Sequence, residues 1–206
     1  MTETEAIVRV RDRLDETDST VSSQRYPDAT AQNYLYAGAR FYVARTGCQY
    51  ATTTITQDPN VLLYDLPCDC IQVERVLWSS GGTYYPLDAT LARDLDEDTL
   101  WWQRSTDTRA RGYFLFGLRK IALWPVSPDG GEDYIVHYQQ DVYDSIAAVP
   151  VEDHECLVDY VVARFLLAEG KVAEGVERMT AYRKVVEQAT KRFSSLDRKF
   201  GMSVTL

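Results

Sequence analysis

Apolar residues recur at helical spacing at both ends of the chain and at strand-like spacing between them. Near the start, Ile7, Val10 and Leu14 stand three and four residues apart among charges, which predicts a short helix over residues 2–14. Residues 15–28 are polar and end in Tyr26-Pro27-Asp28, a loop whose last residue can cap the next helix. Residues 29–46 predict a stronger helix, with Ala31, Tyr34, Leu35, Gly38, Phe41 and Tyr42 on one stripe. Gly38 interrupts that stripe where a missing side chain lets a partner approach, and Gly47 can end the helix.

From residue 51 the pattern shortens. Ala51-Thr52-Thr53-Thr54-Ile55-Thr56 is β-branched, and Asp58-Pro59-Asn60 reads as a turn. Val61-Leu62-Leu63-Tyr64 and residues 71–78 are strand candidates, and Ser79-Ser80-Gly81-Gly82 turns into Thr83-Tyr84-Tyr85-Pro86-Leu87. Residues 91–102 are charged with scattered apolar positions and predict one or two helical turns. Two further strands, residues 112–117 and 120–125, flank a tight connection at Leu118-Arg119. The turn Pro128-Asp129-Gly130-Gly131 leads into an alternating strand over residues 133–138.

Helical spacing returns after Val149-Pro150, with Glu152 and Asp153 in a first turn that suits acids. Residues 152–169 carry Leu157, Tyr160, Val161, Phe165 and Ala168 on one face and Val158, Val162 and Leu166 on another. A helix apolar on both sides is buried between neighbours. After the breaker Gly170, residues 174–194 form a one-sided helix through Val176, Met179, Tyr182 or Arg183, Val186 and Phe193. Beyond it Phe200, Met202, Val204 and Leu206 alternate. The order predicts an α+β fold. Residues 1–50 and 149–198 are expected to form a helical bundle, residues 51–148 a β-rich insertion, and residues 199–206 an extended tail.

Composition changes little in this picture. The chain of 206 residues has 45% hydrophobic and 26% charged residues, as globular domains do. No run of about 18 apolar residues is present to span a membrane, and the charged first 16 residues lack the apolar stretch of a secretory signal. A formal net charge of −9 argues against general nucleic-acid binding, although an acidic wall suits a passage to which DNA must not stick. The charge is uneven. From Glu177 onward, Arg178, Arg183, Lys184, Lys191, Arg192, Arg198 and Lys199 face only Glu177, Glu187 and Asp197, so a basic helix leads into the alternating tail. Such an end can dock on a partner.

No catalytic, cofactor-binding or metal site is expected. Cys68 and Cys70 are one residue apart, not at zinc-site spacing, and with Cys48 and Cys156 read as reduced thiols of a cytosolic protein. His154 and Cys156 are two apart on a helix and point to different sides. His137 sits in a strand pattern. Gly81-Gly82 and Gly130-Gly131 are turn pairs, not phosphate loops. The acids Asp94, Asp96, Glu97 and Asp98 lack the glycine and terminal glutamate of a calcium loop. Aromatic residues are abundant, with 14 Tyr, 6 Phe and 4 Trp. Tyr84, Tyr85, Trp101 and Trp102 read as a core or subunit interface, or as a stacking platform for sugars or bases.

The ordered set of these features resembles the head-to-tail adaptor proteins of tailed bacteriophages, also called head–tail connector or neck proteins. The early helix with Ala31-Gln32-Asn33-Tyr34-Leu35-Tyr36-Ala37-Gly38-Ala39-Arg40 is followed by Ala44-Arg45-Thr46. Tyr64-Asp65-Leu66-Pro67 is similar to the family's Y-x-LP step. Tyr113-Phe114-Leu115-Phe116-Gly117 and Ile121-Ala122-Leu123-Trp124-Pro125 resemble its paired strands, with Tyr134 to Tyr138 after them. Val149-Pro150-Val151-Glu152 resembles the opening of its late helix. The proline-poor link after Trp124 and the Cys68-Asp69-Cys70 step depart from the pattern.

The resemblance implies a non-enzymatic virion protein, made in the host cytoplasm. It would form a ring of twelve copies beneath the portal protein, join the DNA-filled head to tail or neck proteins, and pass DNA through its lumen. It carries over no catalytic residue. The expected portal-docking set is Arg183, Lys184, Lys191, Arg192, Arg198, Lys199, Phe200, Met202, Val204 and Leu206. Tyr84, Tyr85, Trp101 and Trp102 are the expected tail-side or inter-subunit contacts. The competing expectations are another neck or tail subunit, such as a tail completion or tube protein, and a carbohydrate-binding module using the same aromatics.

Overall fold

The computed structural model describes residues 1–15, 25–98 and 102–200, with the side chains of all these but 98 and 195–200. The fold is α+β. It divides into a helical unit, Met1–Gln49 with Asp141–Leu206, and a β unit, Tyr50–Gln140.

The helical unit is built from α1 (Glu3–Arg13), α2 (Asp28–Thr46), α4 (His154–Ala168) and α5 (Val172–Phe200). Thr2 starts α1 through a reciprocal cap. Its hydroxyl accepts the Glu5 N–H at 3.2 Å, while the Glu5 carboxylate accepts the Thr2 N–H at 2.8 Å. Asp28 does not cap α2 as expected. Pro27 holds that position without a side-chain bond, and Asp28 is already inside the helix, paired with Arg11. Gly47, in the left-handed region at φ 64°, ends α2. The apolar faces of all four helices meet in one core around Leu35, Tyr42, Leu157, Val161 and Tyr182. The two-sided burial expected of α4 is present, because α1, α2 and α5 all pack on it.

Gly38 shows why a side chain is missing there. A Cβ atom would stand 2.9 Å from the Tyr160 ring, and the Tyr182 hydroxyl donates to the Gly38 carbonyl at 2.8 Å. Two boundaries differ from expectation. Residues 141–148 belong to the helical unit rather than to the β-rich insertion, and Ile146 among them enters the core. It has no periodicity to reveal it. Lys199 and Phe200 are helical rather than extended. Phe193, Leu196 and Phe200 keep helical spacing, and each added helical residue gains one backbone bond once the helix is nucleated.

The β unit contains two four-stranded sheets. The first runs β1 (Tyr50–Thr56), β8 (Asp133–Gln140), β3 (Cys70–Ser80), β4 (Thr83–Pro86), all antiparallel. The second runs β2 (Leu63–Asp65), β7 (Lys120–Trp124), β6 (Gly112–Phe116), β5 (Asp88–Ala89). β5, which no sequence pattern announced, lies parallel to β6. Ile55, Val76, Ile121, Leu123, Tyr134 and Val136 fill a core to which both sheets contribute. The other face of the second sheet is covered too. Phe114 and Ala122, opposite each other in register, pack with Leu95 of α3 (Ala92–Asp98) and with Trp102 in a following 3-10 turn. A strand buried on both faces reads as an unbroken apolar run, which explains Ile121-Ala122-Leu123-Trp124. Buried Tyr134 is satisfied at both ends. Its hydroxyl accepts the Ala110 N–H at 2.7 Å and donates to Gln57 at 3.1 Å, and burial pushes its pKa up to about 12.

Candidate interaction surfaces

The groups that suggested chemistry are placed in structure. Cys156 is buried, and burial pushes its thiol up to about 12. His154 is buried and its Nε2 bonds the Val149 carbonyl at 2.7 Å. His137 lies on β8, and partial burial and Arg75 lower its pKa. Cys68 is exposed and Cys70 half-buried, and Asp69 between them accepts from Gln140 at 2.7 Å. Among the described residues no cluster of three or more His, Cys, Asp or Glu residues is arranged to hold a metal ion.

On α5 the buried stripe is Tyr182, Val186 and Ala189, with Met179 and Phe193 at its ends. Tyr182, not Arg183, is the inward residue of the pair. Arg183, Lys184 and Lys191 are exposed. Arg192 is not a free docking cation. It donates to the buried Asp153 carboxylate, which also accepts the Tyr42 hydroxyl, and lies 3.8 Å from Glu152. Burial, then the hydrogen bond to Asp153 and its charge, raises the Tyr42 pKa well above that of a free tyrosine. Arg198, Lys199 and Phe200 lie on the last turns of α5, their side chains outside the described set. Met202, Val204 and Leu206 lie outside the described residues.

A groove that no sequence pattern announced runs between α2 and α5. It has a volume of about 240 Å³ and is lined by Phe41, Arg45, Arg183, Val186 and Glu187. Phe41 is half exposed although its ring stands 6.0 Å from that of Tyr182.

In the β unit, Tyr84 and Tyr85 lie exposed on β4. The Tyr85 ring lies 5.1 Å from Trp78, and the Arg109 guanidinium lies 3.9 Å over the same indole. Trp102 is not part of this surface. It is buried against Phe114 and its Nε1 donates to Asp96 at 2.6 Å. Trp101 lies outside the described residues. With Trp102 turned inward, the four-ring platform expected for sugars or a subunit contact is not assembled. Among the described residues the most exposed apolar group is elsewhere, at the tip of the β6–β7 hairpin. There Leu118 is 93% exposed, Phe116 and Leu115 about half, and Gly117 makes the turn at φ 69°.

Neither surface holds a set of groups for bond chemistry; both are suited to protein contact. The family model described as SU10 adaptor protein matches residues 1–203 of this chain. The chain belongs to the SU10 adaptor family. It is therefore a structural phage adaptor and a component of the virion. No curated protein matches the chain. Among solved structures, it is similar to one titled "Neck of empty GTA particle computed with C6 symmetry". That likeness has 14% sequence identity, covers 76% of this chain and 74% of the other, and has a TM-score of 0.28.

Proposed function

We propose that copies of this chain assemble as a ring of twelve beneath the portal, join the DNA-filled head to the tail, and continue the DNA channel. Membership of the SU10 adaptor family over nearly the whole length carries this reading. The charge distribution supports it. The acidic balance lies outside the C-terminal segment, as suits a lumen that DNA must pass without sticking. The exposed Lys184 and Lys191 of α5 lead toward Arg198, Lys199 and the uncharged residues 200–206, which together form the portal-docking end. The hairpin tip at Phe116 and Leu118 and the exposed Tyr84 and Tyr85 face tail components. Many identical contacts act together, so each need be only modest. The protein is made in the host cytoplasm and acts at the head–tail junction.

Electron microscopy of the full chain mixed with portal rings tests this. The expected image is a ring of density on one end of each portal. A chain lacking residues 200–206 should keep its circular dichroism and leave portals bare. Bare portals with the full chain, or capped portals with the truncated one, would overturn the ring or the docking end respectively.

A further inference from the structure

The helical unit disposes of its arginines with care. Each arginine whose side chain is described there pairs with a carboxylate or lies over an aromatic ring, with two exceptions. The exceptions are Arg45 and Arg183, and both line the groove between α2 and α5. Beside them Phe41 stands half exposed, with Val186 at the floor. Two guanidiniums without a partner among the described residues outnumber Glu187, the acid in the same lining, and with the uncovered ring they form a net positive socket for an apolar side chain that carries a carboxylate close by.

The chain itself presents that complement. Leu91, immediately before α3, is 65% exposed. Asp94 in the first turn of α3 is exposed and makes no ion pair with a described residue, whereas Glu97 is held by Arg93 and Asp96 by Trp102. The Asp94 N–H bonds the Leu91 carbonyl at 3.0 Å, so the two residues stand one turn apart on neighbouring positions. Neither half is satisfied within its own unit. The hairpin tip is the wrong occupant for the socket, because Leu118 is followed by Arg119 and Lys120.

We propose that the α2–α5 groove receives the Leu91–Asp94 turn of a second copy of this chain, Leu91 against Phe41 and Val186 and the Asp94 carboxylate between Arg45 and Arg183. The two halves are different surfaces, so the contact is head-to-tail and repeats from copy to copy until a ring closes. The inference rests on the ring reading above and names the contact that builds the ring.

Charge reversal tests it with the full chain. Four proteins are compared: wild type, Arg45→Glu with Arg183→Glu, Asp94→Arg, and all three substitutions together. Sedimentation velocity reports association of the free chain, and electron microscopy reports rings on portals. Circular dichroism and melting confirm that all four fold alike. Each one-sided reversal should weaken copy–copy association by about tenfold or more, and the triple variant should regain it because the reversed charges again match. If wild type forms rings and the one-sided variants form them equally well, the groove contact is wrong and the ring stands. If wild type forms neither oligomers nor rings, the ring reading falls and this contact falls with it.

Discussion

The two units treat their surfaces differently. In the helical unit, polar groups are tied down within the unit: Tyr182 to the Gly38 carbonyl, Tyr42 and Arg192 to Asp153, Arg13 to both Glu155 and Asp159. In the β unit, the core is equally closed around Ile121 and Val136, yet Leu115, Phe116, Leu118, Tyr84 and Tyr85 stand in water. A core needs apolar burial, and both units have it. The β unit carries apolar side chains beyond that need at a hairpin tip, where a fold gains nothing from them, and on the edge strand β4, where Tyr85 packs on Trp78 yet stays half exposed. Among the described residues, the helical unit exposes Val151, Val172 and Val176 along its helices, whereas the β unit gathers Leu115, Phe116 and Leu118 at one hairpin tip.

The largest expected effect lies in the closed core. Leu157→Ala leaves a cavity among four helices and should lower stability by about 2–5 kcal/mol, read from urea unfolding followed by helical circular dichroism. A loss below about 1 kcal/mol would mean that the helices collapse onto the gap and are not closely packed. Next comes the polar network. Asp153→Ala strands the buried Tyr42 hydroxyl and should cost about 1–3 kcal/mol. The hydroxyl carries most of that, since Arg192 is 47% exposed and turns to water. Adding Tyr42→Phe to Asp153→Ala should recover part of the loss; no recovery would move the cost elsewhere. The smallest effect belongs to the hairpin tip. Leu118→Ser should leave the melting temperature unchanged, within about 0.5 kcal/mol of stability, and reduce the binding of an apolar dye. A clear drop in melting temperature would show that the tip packs internally and would erase the contrast.

Local patterns carried much of the fold. The stripe of α2, with Gly38 inside it and Gly47 at its end, follows from spacing and from the conformations glycine permits. The double apolar face of α4 and the hairpin from β6 to β7 are legible for the same reason. Other features escaped because they depend on distant residues. The two-residue β5 exists only because β6 lies beside it. Trp102 is inward because Phe114 and Ala122 offer a sheet face to cover, which decides for the core between the core and the subunit interface that its sequence left open. Arg192 reads as one more basic residue of a docking helix until Asp153, 39 positions earlier, is found against it. The groove has no linear signature, since Phe41 and Arg183 come from helices far apart in sequence.

By itself, the sequence determined the α+β order, the buried helix after Pro150, the basic C-terminal segment and the resemblance to the phage adaptors. These depend on periodicity, turn residues and charge counts, all of which are local or additive. Tertiary structure alone decided which charges are spent and which remain available. An arginine is the same letter whether it is neutralised or free. Its partner is fixed by helix packing, and that packing left Arg45 and Arg183 together beside an uncovered ring.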